Sequence, residues 1–217
     1  EESLELRRRL PVTYGETPER LRDVSVSLDR VGNVRRAAGD LAGARAAYEE
    51  SLELRRRLLA TYGETPERLR DVSISLERVG DVRRAAGDLA GARAAYEESL
   101  ELRRRLLATY GETPERLRDV SISLNKVGDV RRAAGDLAGA RAAYEESLEL
   151  ARRLLATYGE TPDRLRDVSI SLERVGDVRR AAGDLAGARA AYEESLELRR
   201  RRLERFGETP EALKDLA

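Results

Sequence analysis

Residues 76–100 read LERVGDVRRAAGDLAGARAAYEESL, and this stretch decides the fold. Leading into it, Leu69, Val72, Leu76 and Val79 follow three- and four-residue steps, which put them on one face of a helix. Thr65 precedes Pro66. The threonine hydroxyl can accept from an orphan amide of the first turn, and proline at the first helical position loses no hydrogen bond. Gly87 supplies a left-handed residue on which the helix ends, and Asp88 caps a second helix at once. A turn this tight folds the two helices antiparallel. The second helix carries Leu89, Ala92, Tyr96, Leu100, Leu107 and Tyr110 and stops at Gly111. The spacing predicts helices over 66–86 and 89–110, each about 30 Å long. No sustained alternation supports a strand.

The pattern recurs. Gly15, Gly63, Gly111, Gly159 and Gly207 stand 48 residues apart, each behind an aromatic residue and ahead of Glu-Thr-Pro. Residues 65–112 and 113–160 differ only at Glu77/Asn125, Arg78/Lys126 and Arg103/Ala151. Self-similarity at a fixed period means a stacked array, in which each repeat buries its apolar face on its neighbours. The expected organisation is one array over 1–217, with repeats at 17–64, 65–112, 113–160 and 161–208. Residues 1–16 then form part of a preceding second helix, and 209–217 begin a further first helix. The fold class is all-α, an α-solenoid of stacked antiparallel helix hairpins.

Leu76-x-x-Val79-Gly80, then Gly87-Asp88, then Ala92-x-x-x-Tyr96-x-x-Ser99-Leu100 resembles the signature of the tetratricopeptide repeat. Gly80 and Ala92 let the paired helices approach, and Tyr96 fills the gap beside them. The resemblance covers nearly the whole chain. It implies a right-handed superhelix whose first helices line a concave groove for partner peptides or helices. Two features depart from the family pattern. The period is 48 residues rather than the usual 34, and Arg35, Arg83, Arg131 and Arg179 stand where the family commonly has a large apolar residue. An arginine there calls for a carboxylate. Asp71, Asp119, Glu98 and Glu101 are the candidates, with a first-helix aspartate favoured; the competing reading turns Arg83 out into water.

Composition narrows the function. Lys plus Arg and Asp plus Glu are both 41, so the formal net charge is zero, which gives no reason to expect nucleic acid or an anionic membrane. Histidine and cysteine are absent, which removes the common bases, thiol nucleophiles and metal ligands. Glu97-Glu98 recurs in every repeat, unlike a catalytic pair. The stretch 86–91 lacks the spacing and the preceding strand of a phosphate loop. Arg103–Arg105 reads as a solvated, salt-bridged surface, with Glu101 and Arg105 as an i,i+4 pair. No enzyme, cofactor or metal is expected, and the location expected is cytoplasmic. The lack of methionine is expected of a piece of a longer chain.

The matching groove residues are Asp29, Arg30, Asn33 and Arg36; Glu77, Arg78, Asp81 and Arg84; Asn125, Lys126, Asp129 and Arg132; Glu173, Arg174, Asp177 and Arg180. Their alternating charge suits a polar or charged segment of a protein partner. The repeats differ mainly at Val26, Asp29, Asn33, Asn125, Lys126, Ala151, Asp163 and Arg202–Phe206. Drift at tolerant sites and selection for repeat-specific contacts both account for such changes. The alternative function is a structural array, natural or designed, that associates end to end without a dedicated ligand.

Overall fold

The computed structural model describes Glu5 and residues 15–207. The partial helices expected at 1–16 and 209–217 lie outside these residues, but for Glu5, Gly15 and Glu16. Eight helices and no strand occur among the described residues. They are α1 (Pro18–Ala37), α2 (Leu41–Tyr62), α3 (Pro66–Ala85), α4 (Leu89–Tyr110), α5 (Pro114–Ala133), α6 (Leu137–Tyr158), α7 (Pro162–Ala181) and α8 (Leu185–Phe206). The chain divides into two compact halves, Glu1–Gly111 and Glu112–Ala217. In the first, α1 pairs with α2, α3 with α4, and α2 packs on α3; in the second, α5 pairs with α6, α7 with α8, and α6 packs on α7.

Each boundary has a local cause. Thr65 Oγ1 accepts from the Arg68 N–H at 3.2 Å, and Asp88 Oδ1 accepts from the Gly91 N–H at 2.8 Å. Gly87 sits at φ +83°, its N–H donating to the Arg84 carbonyl at 3.0 Å, and the Asp88 N–H reaches the Arg83 carbonyl at 2.9 Å. These two bonds form a Schellman closure, so Ala86 becomes the cap and the helix ends at Ala85. The Arg68 guanidinium donates back to the carbonyls of Tyr62 and Gly63, at 2.5 and 2.9 Å, satisfying the end of the preceding second helix.

Tyr96 and Ala92 are both wholly buried, as expected. The Tyr96 ring lies against Gly80, where any Cβ would overlap it. Around this contact the first half packs Ala44, Tyr48 and Leu52 of α2 against Val72, Leu76, Val79 and Val82 of α3, with Ala95 of α4. The second half repeats the arrangement with Ala140, Tyr144 and Leu148 against Val168, Leu172, Val175 and Val178. Beyond the tyrosines the core turns polar. Ser51, Ser99, Ser147 and Ser195 each donate to the carbonyl of the serine 26 residues earlier, at 3.0, 2.9, 3.0 and 3.1 Å.

Candidate functional site

The polar layer explains several of the repeat's variations. Arg55 of α2 is buried and its guanidinium is surrounded. It donates to Asp29 Oδ2 at 2.6 Å and Ser25 Oγ at 3.3 Å in its own hairpin. It also donates to Ser75 Oγ at 2.6 Å and the Asp71 carbonyl at 3.0 Å in α3. One side chain therefore ties a hairpin together and fastens it to the next. Arg103, also buried, meets Glu77 at 2.9 Å, and Arg199 pairs with Glu173, which accepts as well from Ser195 Oγ at 3.1 Å. In the third hairpin the facing residues are Asn125 and Ala151. Two sequence differences that look independent are thus one exchange: the arginine and its carboxylate are lost together. Asn125 Oδ1 stays buried without a hydrogen-bond partner, and Ala151 joins the apolar cluster. The surface expected at Arg103–Arg105 is therefore corrected at Arg103, which is interior. Arg105 pairs with Glu64, in the loop before α3, at 2.6 Å.

The groove candidates take up different positions. Asp29 departs from the expected exposed place: it is 4% exposed, shared between Arg55 and Arg78. Glu77, Asn125 and Glu173 occupy the same position and are half-buried. Asn33, Asp81, Asp129 and Asp177 each accept from a tyrosine hydroxyl, those of Tyr48, Tyr96, Tyr144 and Tyr192, at 2.8, 2.7, 2.7 and 2.7 Å. Arg78, Lys126 and Arg174 are half-buried. Arg30, Arg36, Arg84, Arg132 and Arg180 are exposed. The alternation of sign is broken on α1, where Asp29 is drawn inside while Arg30 and Arg36 stay outside.

Ion pairs set consecutive first helices side by side. In the first half Arg22 reaches Asp71 at 3.4 Å, and Arg78 reaches Asp29. In the second half Arg118 reaches Asp167 at 2.7 Å, Arg174 reaches Asp129 at 3.3 Å and Arg132 reaches Asp177 at 3.2 Å. Between these rungs lie aliphatic residues absent from the expected groove: Val26 and Ile74 in the first half, Ile122 and Ile170 in the second. Ile122 is 38% exposed. The signal was available, since Ile74 falls off the buried stripe of Leu69, Val72, Leu76 and Val79.

Arg83 is held by a carboxylate, but by none of the four candidates. Its partner is Glu49 of α2, at 2.7 Å, and Arg179 meets Glu145 of α6 in the same way at 3.1 Å. The preceding second helix, rather than a first helix, supplies the counter-charge. Burial works against the ionised Glu49, but hydrogen bonds from Arg83 and Arg45 outweigh it and hold the carboxyl below its ordinary range. The phenols of Tyr96 and Tyr144 are pushed well above theirs, first by burial and then by the carboxylates of Asp81 and Asp129 that they contact.

No cluster of three metal-ligating side chains occurs among the described residues, and no described helix is long and apolar enough to cross a membrane. Two family models match, each of the tetratricopeptide repeat, one over residues 119–200 and the other over 24–61 and 75–109. No curated protein matches. Similar solved structures include BtubC (BKLC) from P. vanneervenii, 18% identical, covering 96% of this chain and 91% of that one at a TM-score of 0.53. A Podosopora anserina structure of nearly identical TPR-like repeats is 17% identical, with 92% and 94% covered and a TM-score of 0.59. A single-substitution variant of that protein gives 17%, 94%, 95% and 0.61. At these identities the likeness is one of fold.

Proposed function

Because the chain belongs to the tetratricopeptide repeat family, we propose that it is a protein-interaction scaffold without catalytic activity, receiving a polar or charged partner segment on the open faces of its first helices. The observation that carries this reading is a strip of first-helix residues within each half. In each half ion-paired rungs lay two first helices side by side, exposed arginines line the strip, and aliphatic residues such as Ile122 lie between the rungs. Charged rims with a small apolar floor give a segment both register and adhesion. The formal neutrality of the chain favours a protein partner over nucleic acid.

Charge reversal on the strip tests the reading. Arg70→Glu with Arg166→Glu should abolish capture of partners that the unmodified chain retains from its source proteome. Glu101→Arg, on a second helix, should leave capture intact. Equal capture by all three proteins would defeat the proposal.

A further inference from the structure

The second helices form a wedge on the other side of the first. Between α6 and α8, over α7, lies a cavity of about 340 Å³. Leu148, Leu172, Val175 and Ala191 form its apolar walls and are buried. Glu149 and Ala190 also line it and are exposed, so the cavity reaches solvent. Two ion pairs join its walls. Arg152 donates from one nitrogen to both carboxylate oxygens of Glu194, at 2.5 and 2.7 Å, and Arg179 meets Glu145 at 3.1 Å. Arg179 follows Ile170 by nine residues, which is half a turn round α7 at about 100° per residue, so the wedge faces away from the strip. The first half repeats the ties. Arg56 joins α2 to α4 through Glu98 at 2.6 and 2.7 Å, Arg83 meets Glu49 at 2.7 Å, and Leu52, Leu76, Val79 and Ala95 are buried at the matching places.

The charges around the wedge are not all engaged. Glu145 and Glu194 are held by arginines, whereas Glu149 makes no ion pair or hydrogen bond among the described residues. Its counterpart Glu53 makes none either. The cause is a competition. On an isolated helix each would pair with the arginine four residues on, Arg153 or Arg57. Those guanidinium groups are taken instead by the glutamates that precede the first helices of the same hairpins: Arg153 by Glu112 at 2.5 Å, and Arg57 by Glu16. In each half an exposed carboxylate without a partner is thereby left beside buried aliphatic side chains.

We propose that the wedge between second helices is a second docking surface, which takes a lysine or arginine side chain of a partner protein segment. The aliphatic stem lies on Leu148, Leu172 and Val175, and the cation meets the Glu149 carboxylate. A long basic side chain answers both features at once, since it buries an apolar stem and keeps its charge at the rim. An acidic side chain is repelled by Glu149, and a wholly apolar one takes water from that carboxylate without supplying a counter-charge. Glu53 gives the first half the same preference. This surface lies apart from the strip of first helices and does not depend on it.

The test uses the full chain with hexalysine, its affinity measured by calorimetry at low salt and its location by NMR shifts of amides and methyl groups. The largest shifts should fall on Leu148, Val175 and Ala191 and on their counterparts Leu52, Val79 and Ala95. Glu53→Gln with Glu149→Gln removes both unengaged charges at exposed positions that make no internal contact, so the fold is retained; an unchanged melting curve checks this. The double variant should weaken hexalysine binding about two- to fivefold, the scale of one exposed ion pair at each site. A hexamer of diaminopropionic acid carries its charges on stems shorter by three methylenes and should leave the methyl groups of Leu172 and Val175 unmoved. Three results overturn the inference: an affinity that the double variant does not change, shifts scattered over the surface acids without preference for the wedges, or equal methyl shifts from the short-stemmed hexamer.

Discussion

The first and third hairpins solve the same packing problem in opposite ways. In the first, Arg55 and Asp29 form a buried pair whose guanidinium also holds Ser25, Ser75 and a carbonyl of α3. In the third, Asn125 and Ala151 occupy the same two places and the cluster closes around alanine. Desolvating two charges offsets most of what their attraction returns, so a buried pair can be exchanged as a pair with little change in stability. Losing one member is another matter, because the survivor keeps the desolvation cost and has no counter-charge. The difference teaches that the unit of substitution in this layer is the contact, not the residue.

The comparison breaks most visibly if one partner is removed. Asp29→Ala should cost about 3–5 kcal/mol in urea denaturation, since Arg55 is left buried and Arg78 loses its rung. Ala151→Arg alone should destabilise the third hairpin comparably, with Asn125 unable to neutralise the guanidinium. A loss below about 1 kcal/mol in either case would show that water reaches the layer.

The tyrosine layer is common to all four hairpins and supplies the control. The phenols of Tyr96 and Tyr144 have raised folded pKa values, so their contribution is whole below about pH 10 and is lost as pH rises beyond it. Tyrosinate absorbance from these rings should appear together with loss of helical signal, in wild type and in charge-layer variants alike. Ionisation of buried tyrosines ahead of unfolding would show that the ring against Gly80 is looser than described.

Converting the first hairpin to the third sharpens the contrast. Asp29→Asn with Arg55→Ala should lie within about 1 kcal/mol of wild type, far from the sum of the single losses. Full additivity in the double-mutant cycle would mean that the two residues act independently. The smallest effect belongs to the surface: Arg56→Ala removes an exposed pair with Glu98 at 2.6 Å and should cost no more than about 1 kcal/mol, shrinking further in salt.

Much of this was legible in the sequence because it is local. Thr65-Pro66, Gly87-Asp88 and the three–four spacing of Leu69 to Val79 act within a few residues, and the helices fall within a residue of the expected bounds. Tyr96, Ala92 and Gly80 were equally readable, since a glycine and an alanine opposite a tyrosine leave few arrangements. The charged residues were not. Arg103 sits in a run of three arginines and differs from Arg104 only in helical phase and in its distant partner Glu77. Arg83 invited a search among first-helix acids, yet Glu49, next to Tyr48 on the preceding second helix, is the group that reaches it. The one sequence clue to the buried layer was that Asn125 and Ala151 changed within the same repeat. How deeply each groove candidate is buried was not legible, because the arginines that draw in Asp29 and the tyrosine hydroxyls that bind Asn33, Asp81, Asp129 and Asp177 belong to other helices.

The ties between helices keep constant offsets: 26 residues from serine to serine within each hairpin, 42 from Arg56 to Glu98 and from Arg152 to Glu194, 49 from Arg118 to Asp167. No position in the repeat is marked as its beginning. A gene that gains or loses 48 codons encodes a chain in which the serine ties and the Arg56-type ties again meet counterparts, whereas one codon more or fewer throws all later ties out of register. Copying errors of the right length can therefore change the number of hairpins in a single step.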